Sequence, residues 1–352
     1  MKTLLKSVYT RLYALLPESA GESVSALTFK VANKPFVFHD RTLHPPARLP
    51  RGAVTFSADF EMAWAFQYSR SSAADCVALG LRERAQVPVI LAALRECGIA
   101  ITWATVGHLF LSGCTRGAAG LPHPDMPRCG HFDGHWRFTS GDWFQHDPCT
   151  GVESDPAWYA PDLVEAILAS GHEVGSHGFS HVGFGDYCPD EVAEAEVRAS
   201  LEAMKPFGIR PRSFVFPGNE CGKLDILAGA GLDIVRMFPV SWAEISLPVR
   251  MAEGLWGVHS SASIEPASHG ANPAGRLRRL FKYVDRAVEE RMAAHFWFHP
   301  SLQARYMTDL LFPLFRHCAG LREKGVLDIF TMEGLVEETV RAWERQAQPG
   351  SP

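Results

Sequence analysis

No excess of positive charge runs through this 352-residue chain: 34 Lys and Arg stand against 39 Asp and Glu, a formal net charge of −5. Without a basic field there is little to gather a polyanion, so nucleic acid is set aside as a partner. No run approaches the ~20 apolar residues of a membrane-spanning helix. The eight cysteines, at 76, 97, 114, 129, 149, 188, 221 and 318, include no C-x-x-C pair, which argues against a zinc ribbon and a compact disulfide framework. They read as reduced thiols of a cytoplasmic protein, with a Cys129–Cys149 bridge as the pairing left open. No Ser or Cys sits in a nucleophile motif such as G-x-S-x-G, and no internal repeat is evident.

What is present is ordinary globular material. Hydrophobic residues make up 47% and charged residues 21% of the chain, enough for a sizeable core. The length suits one large α/β barrel, commonly about 200 to 250 residues, with extensions. Near the start, Leu4, Leu5, Val8, Leu12, Leu15 and Leu16 recur at helical spacing. Ser7, Thr10 and Arg11 interrupt the continuous stretch a signal peptide would need. The stripe predicts a helix docked on its own domain, with peripheral membrane contact as the alternative. A Pro-, Gly- and Ser-rich arm follows. The expected organisation is helix and arm over 1–52, a barrel over 53–346, and a tail over 347–352.

Within the barrel region, short β-rich runs alternate with helical patterns, the signature of β/α units around a parallel sheet. Strands are expected at 53–58, 100–106, 172–176, 213–217, 233–236, 294–298 and 326–330. Helices are expected near 83–97, 160–170, 190–206, 223–230, 275–292, 302–323 and 332–346. Seven of each give an α/β fold of barrel type. Residues 112–158, rich in Gly, Pro, His, Cys and Trp, break the rhythm and read as a long binding or lid loop inserted in the barrel.

Polar residues collect where the expected strands end, which is where catalysts gather in parallel β/α folds. TFSADFE puts Asp59 and Glu61 two apart, on the same side of an extended chain. One carboxylate can bind a cation while the other takes a proton; the bland alternative is a capping pair. GHEVGSHGFSH places His177 and His181 four apart, with Gly175 and Gly178 to either side of His177, a spacing that suits two zinc-ligand imidazoles. The other H-x-x-x-H, His131 and His135 near Cys129, lies in the insertion and reads as loop chemistry or substrate contact. FVFPGN ends a strand at Pro217, Gly218 and Asn219, a turn able to present backbone N–H groups and an amide to a substrate oxygen. HFWFHP carries His295 and His299, with Pro300 ending the strand and leaving His299 at its mouth as a candidate general acid. Trp297 beside it is a candidate substrate contact. Trp136, Trp143, Trp158 and Trp242 are candidates for stacking on sugar faces or for the core.

Taken in order, these motifs resemble those of the polysaccharide deacetylases with a NodB-homology domain, carbohydrate esterase family 4, over roughly residues 50 to 335. The resemblance implies a distorted (β/α) barrel, most often seven-stranded. It also implies a divalent metal, Zn²⁺ first with Co²⁺, Ni²⁺ or Mn²⁺ as alternates, bound by His177, His181 and Glu61. Asp59 becomes the base and His299 the acid. This chain departs from the family in two places: Phe60 separates a pair of acids that is usually adjacent, and Val215 and Phe216 stand where an arginine usually precedes the proline turn. Arg212 and Arg250 are the candidate replacements for that arginine.

The implied reaction is removal of an N-acyl group, N-acetyl first, from an amino sugar or surface-glycan precursor. The metal polarises the amide carbonyl, Asp59 takes a proton from attacking water, and His299 protonates the leaving amine. Three other readings compete. One is a related C–N hydrolase acting on a cyclic amide, ureide or formamido sugar, with or without metal; another is a non-catalytic carbohydrate-binding protein; the third is a membrane-associated scaffold.

Overall fold

The computed structural model describes residues 34–40, 47–65, 73–128, 142–238, 244–264 and 273–347. The expected N-terminal helix, His131, His135, Trp136 and Trp242 lie outside them. Twelve strands are described: β1 (Phe36–Phe38), β2 (Gly52–Phe60), β3 (Thr102–Thr105), β4 (Glu173–Ser176), β5 (Ser213–Val215), β6 (Ile234–Met237), β7 (Glu244–Ser246), β8 (Val249–Arg250), β9 (Trp256–His259), β10 (Ala262–Ser263), β11 (Ala293–Phe298) and β12 (Leu327–Phe330). The helices longer than one turn are α1 (Ala73–Cys97), α2 (Pro161–Ala169), α3 (Asp190–Met204), α4 (Leu224–Gly229), α5 (Pro273–Glu290), α6 (Phe312–Glu323) and α7 (Met332–Ala347). None of them is long and apolar enough to cross a membrane.

The strands curl into a parallel sheet in the order β11-β2-β3-β4-β5-β6-β9. Its closure rests on the segment 256–263. The first half, β9, pairs with β6, and the second half, β10, pairs with β11. At the crossover, Ser260 N–H donates to Met237 at 2.9 Å and Ser261 N–H to His295 at 2.7 Å. A seven-stranded ring results, distorted because β12 lies along Gly52–Thr55 while β3 takes the later part of the same edge, Ser57–Phe60. The seventh ring member is therefore 256–263 and not 326–330, which enters as this extra strand. The stretch expected as one helix at 302–323 contains a π turn at Met307–Leu311, just ahead of Pro313, whose missing N–H cannot continue the regular ladder.

Alternation along β2 sorts the two faces. Phe56 lies outward, its ring 4.9 Å from Phe315 on α6. Thr55, Ser57 and Asp59 face the barrel interior, where the Ser57 hydroxyl meets His295 Nε2 at 2.9 Å. Burial pushes the His295 pKa down to about 3, against about 6.5 in an unfolded chain. Below pH 6.5 the unfolded chain takes up a proton that the folded chain refuses, so this contribution is full above 6.5 and lost as pH falls toward the folded value. Stability of the wild type is expected to fall faster on acidification than that of His295→Gln, by about 1.4 kcal/mol per pH unit between pH 6.5 and 4. Denaturant titrations of both proteins across that range check it; parallel curves would refute it.

Candidate active site

The strand ends on one side of the ring carry the chemistry. Glu61 directly follows β2, His177 directly follows β4, Pro217 follows β5 after one residue, and His299 directly follows β11. Gly178 allows the turn behind His177: its φ is +72°, a conformation L side chains rarely adopt, and His181 itself sits at +65°. Beneath this loop the buried Glu196 of α3 accepts N–H bonds from Phe179 at 2.8 Å and Ser180 at 2.7 Å. That carboxylate lies on the apolar stripe of its helix with Val192, Val197 and Ser200. Glu196→Ala should leave those donors unsatisfied and loosen the histidine loop, weakening metal affinity by about 10–100-fold. Metal titration of the two proteins tests this; equal affinities would exclude a supporting role.

Three acceptor atoms converge above the loop. His177 Nδ1 lies 2.7 Å from the Val215 carbonyl and His181 Nδ1 lies 3.1 Å from the Trp64 carbonyl. Donation to those oxygens puts the ring protons on Nδ1 and leaves lone pairs on Nε2. Both Nε2 atoms stand 3.0 Å from Glu61 Oε1, and His299 Nε2 stands 3.3 Å from the same oxygen. Burial works to raise the Glu61 pKa, but the surrounding imidazoles outweigh it and hold the carboxyl well below its usual range. Two imidazole nitrogens and a carboxylate oxygen gathered on one point are the donor types of a divalent metal site, and the set of His177, His181 and Glu61 fits one. The Glu61 N–H donates to buried Glu83 at 3.0 Å, which fixes the backbone at Glu61.

Asp59 has a different partner. Arg236, inward on β6 and 177 positions away, grips both of its oxygens, with Nη2 2.6 Å from Oδ2. Arg236 also donates to Ser57 Oγ and Asn219 Oδ1, each at 3.1 Å. Burial favours the neutral acid at Asp59, but the guanidinium prevails and holds the carboxyl below its ordinary pKa. The Arg236 guanidinium lies 4.6 Å from the centre of the Trp297 ring.

The structure thus brings Asp59, Glu61, His177, His181 and His299 together and sets Asn219 beside them. Neither expected replacement for the family's arginine is here. Arg212 is engaged with Asp233 and Glu333, and Arg250 lies over Trp256 at the opposite end of the ring. Arg236 supplies the clamp. Trp297, only 8% exposed, packs against that clamp. Trp143 and Trp158 are buried in the core and are not available for stacking on a sugar. Within the Pro217–Gly218–Asn219 turn, Asn219 N–H donates to Phe216 at 2.9 Å, so this N–H closes the turn and the Asn219 amide is the group left to meet a substrate. Cys149 is a free thiol.

Comparison with known proteins finds likeness in part of the sequence and in the fold. Residues 80–230 match the family described as polysaccharide deacetylase. The match takes in His177, His181 and the 217–219 turn, while Asp59, Glu61 and His299 lie to either side of it. A structure from Mycobacterium smegmatis named as a polysaccharide deacetylase aligns at a TM-score of 0.58 and 16% identity, covering 88% of this chain and 98% of its own. Another so named, from Pseudomonas aeruginosa PAO1, aligns at 0.54 and 14%, covering 84% and 91%. At such identities these structures establish the barrel fold. No curated protein matches the sequence closely enough to count as a relative.

Proposed function

With a polysaccharide deacetylase domain over residues 80–230 as the premise, we propose that this protein is a metal-dependent hydrolase that removes the N-acetyl group from an amino sugar of a glycan or glycan precursor. The observation that carries the proposal is the convergence of His177, His181 and Glu61 on one point beside an arginine-gripped Asp59. When bound there, a divalent cation of the zinc class polarises the amide carbonyl and acidifies the attacking water, which suits a base as weak as an arginine-paired carboxylate.

The chain's own residues do the rest. Arg236 keeps Asp59 ionised and fixes the direction of its oxygens, so that Asp59 accepts the proton of the attacking water. His299, the one partly exposed member of the group at 29% of its side chain, lies where a leaving nitrogen can reach it and donates a proton to it. Asn219, oriented by Arg236, offers its amide to the substrate. The reading of a cytoplasmic protein rests on the cysteine pattern and belongs to the same proposal.

Elemental analysis and acetate release from N-acetylated amino-sugar oligosaccharides test it together. His177→Ala and His181→Ala are each expected to hold one metal ion fewer per chain than the wild type and to release no acetate. A folded wild type that releases acetate at an unchanged rate after complete removal of metal would refute the metal mechanism.

A further inference from the structure

A second convergence of metal-ligating side chains lies at the base of the 112–158 insertion. His108, Cys114, His123 and Asp147 each direct one donor atom to a common point, all within 4.8 Å of one another. Asp147 Oδ2 is 2.6 Å from His123 Nε2, 3.2 Å from His108 Nε2 and 3.5 Å from Cys114 Sγ. A tetrahedral zinc ion with bonds of about 2.0 to 2.3 Å spaces its ligands roughly 3.3 to 3.7 Å apart, so two of these separations are already close to those of a filled site.

The surroundings orient the group as a metal shell is oriented. Asp147 Oδ1 is occupied by the Cys149 N–H at 2.9 Å and the Tyr159 hydroxyl at 3.2 Å, which leaves Oδ2 for the centre. His108 Nδ1 lies 3.2 Å from the Trp158 carbonyl, which places the ring proton there and turns the lone pair of Nε2 inward. That Nε2 is fully buried and makes no hydrogen bond; its approach to Asp147 is close but misaligned. An ion pair of His123 with Asp147 accounts for two of the four groups and leaves His108 Nε2 facing a carboxylate with nothing between them, an arrangement that costs free energy. A dication with a thiolate and a carboxylate among its ligands is neutral overall and satisfies all four.

We propose that His108, Cys114, His123 and Asp147 form a second metal site, taking a divalent cation of the zinc class with a structural role. Sulfur and imidazole donors select zinc over magnesium or calcium. The site stands behind the catalytic loop. His108 N–H donates to Phe179 at 2.9 Å and Gly107 N–H to Gly178 at 2.8 Å. The His108 ring packs 4.5 Å from Trp64, whose carbonyl accepts the His181 Nδ1–H bond. A cation here ties the insertion to the loop that presents His177 and His181.

X-ray absorption separates the two sites because only this one has a sulfur ligand. In zinc-loaded His177→Ala, about one zinc per chain should remain, with a sulfur shell near 2.3 Å, and Cys114→Ser should lose that shell. A nitrogen- and oxygen-only shell in His177→Ala, no zinc retained there, or a sulfur shell that persists in Cys114→Ser would each overturn the proposal. If either variant fails to fold, the wild-type spectrum decides: without zinc–sulfur scattering the site does not exist. These outcomes do not depend on whether the chain releases acetate.

Discussion

Replacing Asp59 with asparagine is expected to lower kcat by about 10²–10⁴-fold, the usual contribution of a positioned general base, while the metal content stays that of the wild type. The separation follows from the geometry: His177, His181 and Glu61 surround one point, whereas Asp59 is committed to Arg236 through both oxygens. Asparagine keeps the shape of the side chain and removes its charge. Elemental analysis beside steady-state kinetics reads both quantities. Metal lost in parallel with activity would make Asp59 a ligand, and unchanged kcat would remove it from proton transfer.

Arg236→Met should cost about 3–5 kcal/mol of stability, because it strands a buried carboxylate without its counter-charge. Asp59 is 2% exposed, so water does not make up the loss. The sign on activity follows from the same balance. Arg236 now holds the Asp59 pKa down against burial; without it burial prevails, the pKa rises, and the acid limb of the pH–rate profile moves to higher pH. Denaturant unfolding and a pH profile test the two halves. A variant of wild-type stability with an unmoved acid limb would show that the clamp is inessential.

Much of this is legible in the sequence because the chemistry lies next to strong local patterns. β2, β5 and β11 are β-rich runs that close on Asp59 and Glu61, on Pro217 and on His299, and the short β4 runs straight into His177, so each of these residues marks its own strand end. The seventh ring member, which closes the ring, does not. WGVHSSAS has no continuous apolar run, since it splits between two neighbours and passes through Ser260 and Ser261. Arg236 stood inside an expected strand, and a charge on the inward face of an apolar run was the available signal; its partner 177 positions away was not readable. Glu196 gave the same kind of hint, a carboxylate on the buried stripe of a helix. The second cluster was hidden by its spacing, since His108, Cys114, His123 and Asp147 form no compact motif and meet only once the insertion folds back.

On the proposed function, the polar filling of the ring also bears on how a glycan would use it. Ser57, His295 and Arg236 fill the interior below Asp59 with hydrogen-bonded side chains. A polymer substrate would then not be threaded through the ring; a sugar would lie across the strand ends with its acyl group turned toward Asp59, and the released acid would leave by the same way. Turnover on such a chain would proceed by repeated landing or by sliding over the surface, with the length of the glycan felt at the rim and the identity of the acyl group felt at the floor.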